Sequence, residues 1–126
     1  MKLIKSFLLS AVLSVSGTAV AAQTPEAGHI ASPKQYSLLF ENDKVMVLKM
    51  VLAPGESDTL HHHNNETVYF QQGGKLKISV PGEKPLIAQI PDEHIMWHQA
   101  WIHQVTNLGK SRVVAIITEQ KGSEHE

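Results

Sequence analysis

The sequence contains no cysteine and a single arginine, Arg112. No disulfide can brace the fold, no thiol can serve as a nucleophile, and no Cys-ligated zinc site can form. With Arg112 as the only arginine, no guanidinium clamp for a phosphate or a carboxylate is evident near the histidine motifs, which favours a small or neutral ligand. Basic residues never cluster, and the formal charge is only −1, which argues against nucleic acid as a partner. No window sustains a helical hydrophobic period. Past residue 20 there is no long apolar run, so nothing beyond it reads as a membrane span. With 126 residues the chain has room for one domain, and with no disulfides that domain must rest on a packed core, helped by a metal or a partner subunit.

The amino-terminal segment differs from the rest. Lys2 and Lys5 precede an apolar stretch carrying Phe7, Leu8, Leu9, Val12, Leu13 and Val15, which ends in Thr18-Ala19-Val20-Ala21-Ala22. A charged start, an apolar middle and small residues at the end are the order of a secretory signal peptide, predicted here as residues 1–22 with cleavage after Ala22. Export to a periplasm or to the medium is therefore expected, with no membrane association after cleavage. Loss of Lys2 and Lys5 would make the remaining domain more acidic. Residues 23–34, with Thr, Pro, Glu, Gly and Ser and no periodicity, read as a flexible leader.

From Gln35 to Gln120 the pattern changes to short β-rich segments, each closed by turn residues. Strands are predicted at 36–41, 45–52, 67–72, 76–80, 86–90, 95–98, 102–106 and 112–119. Turn signals at roughly ten-residue intervals mark an all-β sandwich or barrel. Leu76, Ile78 and Val80 alternate with Lys75, Lys77 and Ser79, the signature of a strand with one wet face. Val113 to Ile117 is apolar throughout and should lie centrally, covered on both sides. Gly73-Gly74 reads as a tight hairpin turn. Residues 121–126 form a polar tail.

The chain holds eight histidines, and six of them fall in two clusters. In an extended strand residues two apart share a face, so His61 and His63 can point inward together while His62 faces out. Two imidazoles on one strand face can chelate one ion. Glu66 follows after Asn64-Asn65 and could add a carboxylate. The second cluster contains His98, Trp101, His103 and Asn107. If the strand of His103 neighbours the first cluster, three imidazoles and a carboxylate converge. His29 and His125 carry no signal. Trp97, Trp101, Tyr69 and Phe70 read as core or rim packing, and Asn107 as a turn-former. Asn65-Glu66-Thr67 matches a glycosylation sequon, a pattern short enough to arise by chance.

Gly55 to Gly73 resembles the first motif of the cupin superfamily, G-x5-H-x-H-x(3,4)-E-x6-G. Gly55, His61 and His63 fit it without a gap, and so does the spacing from Glu66 to Gly73. Only two residues separate His63 from Glu66, fewer than the pattern has. His103 and Asn107 fit the second motif, G-x5-P-x-G-x2-H-x3-N, while Asp92, His98 and Ala100 stand where it has Gly, Pro and Gly. The resemblance runs from Asn42 to about Gln120. It implies an all-β, single-domain cupin jelly-roll β-barrel that often forms a homodimer. It also implies a divalent transition metal held by His61, His63, His103 and Glu66. With the shortened spacing, Glu66 is either that ligand or a carboxylate turned away from the ion.

A His-rich site with at most one carboxylate suits Fe, Mn, Ni, Zn or Cu, and open positions on such an ion can take a substrate or dioxygen. Two readings stand side by side. One is a small metal-dependent enzyme of oxygenase or isomerase type acting on a small molecule, with Glu66 and His98 as the candidate catalytic groups. The other is a non-catalytic module that binds a metal or a small ligand.

Overall fold

The computed structural model describes residues 23–122, together with Ser14 and Gly17. Apart from those two residues the predicted signal peptide lies outside the described residues, as does the end of the predicted tail. A short helix, α1 (Gly28–Ala31), precedes nine strands: β1 (Tyr36–Glu41), β2 (Val45–Leu52), β3 (His61–His63), β4 (Glu66–Gln72), β5 (Gly74–Ser79), β6 (Leu86–Ile90), β7 (His94–His98), β8 (Trp101–Asn107) and β9 (Val113–Gln120). They form two antiparallel sheets. One runs β1-β2-β9-β4-β7 and the other β3-β8-β5-β6.

The core lies between the sheets and follows from strand alternation. In β2 every second residue is buried, which places Met46, Leu48, Met50 and Leu52 inside. Val68 and Phe70 of β4, Leu76 of β5, Val105 of β8, and Val113, Ala115 and Ile117 of β9 complete the cluster. As its unbroken apolar run predicted, β9 is the middle strand of the five-stranded sheet, between β2 and β4. In β5, Leu76 and Ile78 face inward while Lys75 is exposed, and Val80 falls just past the strand end.

Two expectations need correction. Gly73-Gly74 is not a hairpin turn, because β4 and β5 belong to different sheets and do not pair. Gly73 instead lies where two backbones cross. A Cβ there would stand 2.0 Å from the carbonyl oxygen of Ile90, and its N–H donates to Asp92 Oδ1 at 2.7 Å. The second correction concerns residues 23–34, which are not a loose leader. Ala27 forms a parallel bridge to His62, and the His62 N–H donates to Glu26 O at 3.0 Å. Gly28 packs against the ring of Tyr36. Ser32 is buried and its hydroxyl accepts the N–H of Thr59 at 3.0 Å. The segment is thus a strap along β3, whose other side is paired with β8. Its hydrogen bonds go to β3 and the loop before it, a partnership that composition alone does not reveal. At the other end, Lys121 N–H donates to Lys44 O, so the first residue of the predicted tail is held against the sheet.

Candidate metal centre

β3 is three residues long, and its alternation sets the site. His61 and His63 are buried and His62 between them is half-buried, facing the strap. β3 pairs antiparallel with β8 so that His61 stands opposite His103. The side chains of opposed residues share a sheet face, and all three imidazoles therefore enter the space between the sheets. Their ring centroids are 4.6, 4.8 and 5.0 Å apart. One ring nitrogen from each lies within 4.8 Å of the others.

The orientation of two rings follows from their hydrogen bonds. His61 Nδ1 is 2.6 Å from the carbonyl oxygen of Thr59, which can only accept, so Nδ1 carries the hydrogen. His63 Nδ1 is 3.0 Å from Glu119 Oε2 and 3.2 Å from Glu66 Oε2, and so it too is the donor. In the neutral rings both lone pairs then sit on Nε2, and these two atoms face each other at 2.9 Å. Only a proton or a metal cation between them relieves that contact. Two nitrogens, each about 2.1 Å from a common ion, can have this separation. Both ring nitrogens of His103 are buried and make no hydrogen bond. A buried polar atom left unpaired costs about 1–3 kcal/mol, which coordination would remove. The donors present therefore fit a transition metal.

Charge reinforces the point. Burial, and then the neighbouring His63, lower the pKa of His61 to about 4. Burial, with His63 and His61 beside it, holds His103 far below the ordinary imidazole range. His63 goes the other way. Burial alone would depress it, but the hydrogen bond to Glu119 and the charges of Glu66, Glu119 and Asp58 overcome that and hold it above its usual value. Burial also raises Glu66, against the pull of His63 and Trp101.

Three contributing residues were not read from the sequence. Glu119 is fully buried at the end of β9. Asp58 and Tyr36 are buried beside His61. The Tyr36 hydroxyl is 3.1 Å from Asp58 Oδ2 and 3.1 Å from His61 Nε2, and Asp58 Oδ1 accepts the N–H of Val105 at 2.8 Å. Burial raises Asp58 to about 6, against the hydrogen bonds it accepts. Glu119 had a signal, since it shares strand parity with Val113, Ala115 and Ile117. Asp58 and Tyr36 had none.

Of the four predicted ligands, the structure brings together His61, His63 and His103. Glu66 stands beside them, its Oε1 accepting the indole N–H of Trp101 at 3.0 Å. His98 is not part of the cluster. It stacks on Trp101 at 3.6 Å and donates from Nδ1 to Gln99 O, while Trp101 in turn lies 4.1 Å from His103. Asn107 is structural. Its amide donates to Leu52 O and Ser111 O, and its Oδ1 accepts from Gly109, which ties down the turn after β8.

Two facing antiparallel sheets with inward imidazoles on adjacent strands define a double-stranded β-helix with a histidine centre. No family model matches the sequence, and no curated protein matches it. Solved structures do. A cupin domain from Bordetella pertussis Tohama I superposes with a TM-score of 0.65 at 20% identity, covering 81% of this chain and 100% of that one. A cupin superfamily protein from Desulfitobacterium hafniense DCB-2 gives 0.51 at 20% identity, over 69% of this chain and 76% of that one. A Cupin 2 conserved barrel domain protein from Salinispora arenicola CNS-205 gives 0.51 at 19% identity, over 69% and 75%. The likeness is one of fold: this chain has the double-stranded β-helix architecture of these cupin domains.

Proposed function

We propose that this chain is a small exported cupin that binds one divalent transition metal through His61, His63 and His103. The ion's free positions would open on an apolar cavity. The observation that carries the reading is the pair of Nε2 atoms at 2.9 Å, each with its Nδ1 committed elsewhere. Beside them lies a cavity of about 50 Å³, walled chiefly by Met50, Val68, Leu76, Met96, Ala115 and Ile117, with His63, Glu66 and His103 also on its lining. That is well below the roughly 150 Å³ that holds a benzene ring. The size and the apolar wall support a neutral ligand of a few heavy atoms. A bound ion would supply Lewis-acid or redox chemistry. The chain's own part is to hold the ion, exclude bulk water and admit small molecules, as an oxygenase or isomerase of a small substrate requires.

A second reading, a non-catalytic metal-holding module, has one observation in its favour. The cavity wall offers few polar groups to fix a substrate, and His98 lies outside the cluster. The amino-terminal pattern supports export, and the exposed Ile95 and Trp97 on β7 support a homodimer.

Native mass spectrometry of protein taken from its own compartment tests all three parts. It should show about one transition-metal ion per chain, an amino terminus at Gln23 and a two-copy mass. His61→Ala and His103→Ala should each lower metal content at least about tenfold. Undiminished metal in both variants would remove the site.

A further inference from the structure

We infer that Glu119 is a positioning residue that fixes His63 with its hydrogen on Nδ1, and that Glu66 stays outside the ion's ligands, leaving the ion three imidazoles and no carboxylate. This rests on the metal reading above and goes beyond it, since the resemblance implies Glu66 as a ligand and says nothing of residue 119.

The geometry around His63 carries it. Nδ1 and Nε2 of an imidazole flank Cε1 and their in-plane bonding directions diverge widely, so a group hydrogen-bonded at Nδ1 lies well away from a point shared at Nε2. His63 Nε2 points at His61 Nε2, 2.9 Å away. Glu119 Oε2 accepts the hydrogen bond of Nδ1 at 3.0 Å, while Glu66 Oε2 lies 3.2 Å from the same nitrogen without a hydrogen bond. Glu119, hydrogen-bonded at Nδ1, therefore stands away from the point that the Nε2 atoms share, and Glu66 does not belong to the group of ring nitrogens that lie within 4.8 Å of one another. β4 and β9 pair with Glu66 opposite Glu119, which sets the two groups side by side on the inner face. Glu119 is not free to swing. Glu119 Oε1 accepts the N–H of Asn64 at 2.7 Å while Oε2 accepts from His63, so rotation would break both bonds. Glu66 is held at its other oxygen by Trp101. The short Asn64-Asn65 link contributes, because it starts β4 at Glu66, next to β9, instead of letting the carboxylate reach forward.

A carboxylate behind a ligating imidazole fixes the tautomer and strengthens the nitrogen as a donor, and losing such a partner typically costs 10–100-fold in metal affinity. Glu119→Leu should therefore lower Zn²⁺ affinity by roughly that factor. Glu119→Gln, with one acceptor oxygen for two donors, should lower it by less. Glu66→Gln should cost no more than a few-fold, because Glu119 remains.

The deciding measurement is the ring ¹⁵N spectrum of metal-free protein at alkaline pH, joined to the metal-edge absorption spectrum of the Co²⁺ form. His63 should be an Nδ1–H tautomer in the wild type and in Glu66→Gln, and should shift toward Nε2–H in Glu119→Leu. The Co²⁺ shell should hold three imidazoles and be unchanged by Glu66→Gln. An Nε2–H tautomer in the wild type overturns the inference. So does a carboxylate ligand that disappears in Glu66→Gln. Either result leaves the three-histidine site standing, whereas retained Zn²⁺ binding in His61→Ala and His103→Ala would remove the site itself. If Glu119→Leu does not fold, the wild-type tautomer and the Co²⁺ shell still decide.

Discussion

At the scale of single residues the three imidazoles are not equivalent. His61, lowered to about 4, and His103, lowered further, are both uncharged at neutral pH. They release no proton when a metal binds. His63 is raised above its ordinary value, so below its pKa one proton must leave before Nε2 can coordinate. Zn²⁺ affinity should therefore weaken with acid by about tenfold per pH unit below that point, against roughly a thousandfold for three ordinary imidazoles. Calorimetric titrations across the acid and neutral range would read the slope directly, and a slope of three protons would contradict the unequal rings. The histidines themselves were legible because strand parity needs only the sequence, and His61 and His63 stand two apart. The role of Glu66 was not, since a carboxylate opening a strand looks the same whether it meets an ion or the back of an imidazole. Glu119 shares parity with a buried run, yet a lone acid at a strand end usually meets water. Its burial depends on which strand lies next to it.

At the scale of elements, most strands could be placed from alternation and turn residues. Sheet membership could not. The chain passes from β4 in one sheet to β5 in the other, and again from β7 to β8 and from β8 to β9. A turn signal says where a strand ends, not which sheet receives the next one. Gly73-Gly74 shows the cost of that ambiguity, because the sequence of a hairpin turn and that of a backbone crossing are alike. Gly73→Ala distinguishes them. With a Cβ only 2.0 Å from a main-chain oxygen, the crossing must open. We expect the melting temperature to fall by more than about 10 °C. A thermal scan with little change would mean that Gly73 serves only the turn. The strap was missed for a related reason. Its sequence has no hydrophobic period, and its order comes from bonds to β3 and to the Thr59 N–H.

At the scale of the whole molecule, the core cluster and the histidine centre share one interior. Met50, Ala115 and Ile117 belong to the core and also line the cavity. Packing and coordination are thus parts of one stability, and a chain without disulfides has reason to join them. The two described ends of the chain add a consequence of their own. Glu26 is bonded to His62, and Gln120 donates its N–H to Asn65 O at 2.9 Å, so both ends leave the barrel within a few residues of His63. The loop after Asn107 lies at the other end of β8 from Trp101, the partner of His63. Cargo fused to either end would sit beside the strand that carries His61 and His63 and should slow Zn²⁺ uptake, while a peptide spliced in at Lys110 should leave it at the unmodified rate. Equal slowing from both places, followed by stopped-flow, would show that ions enter by another route.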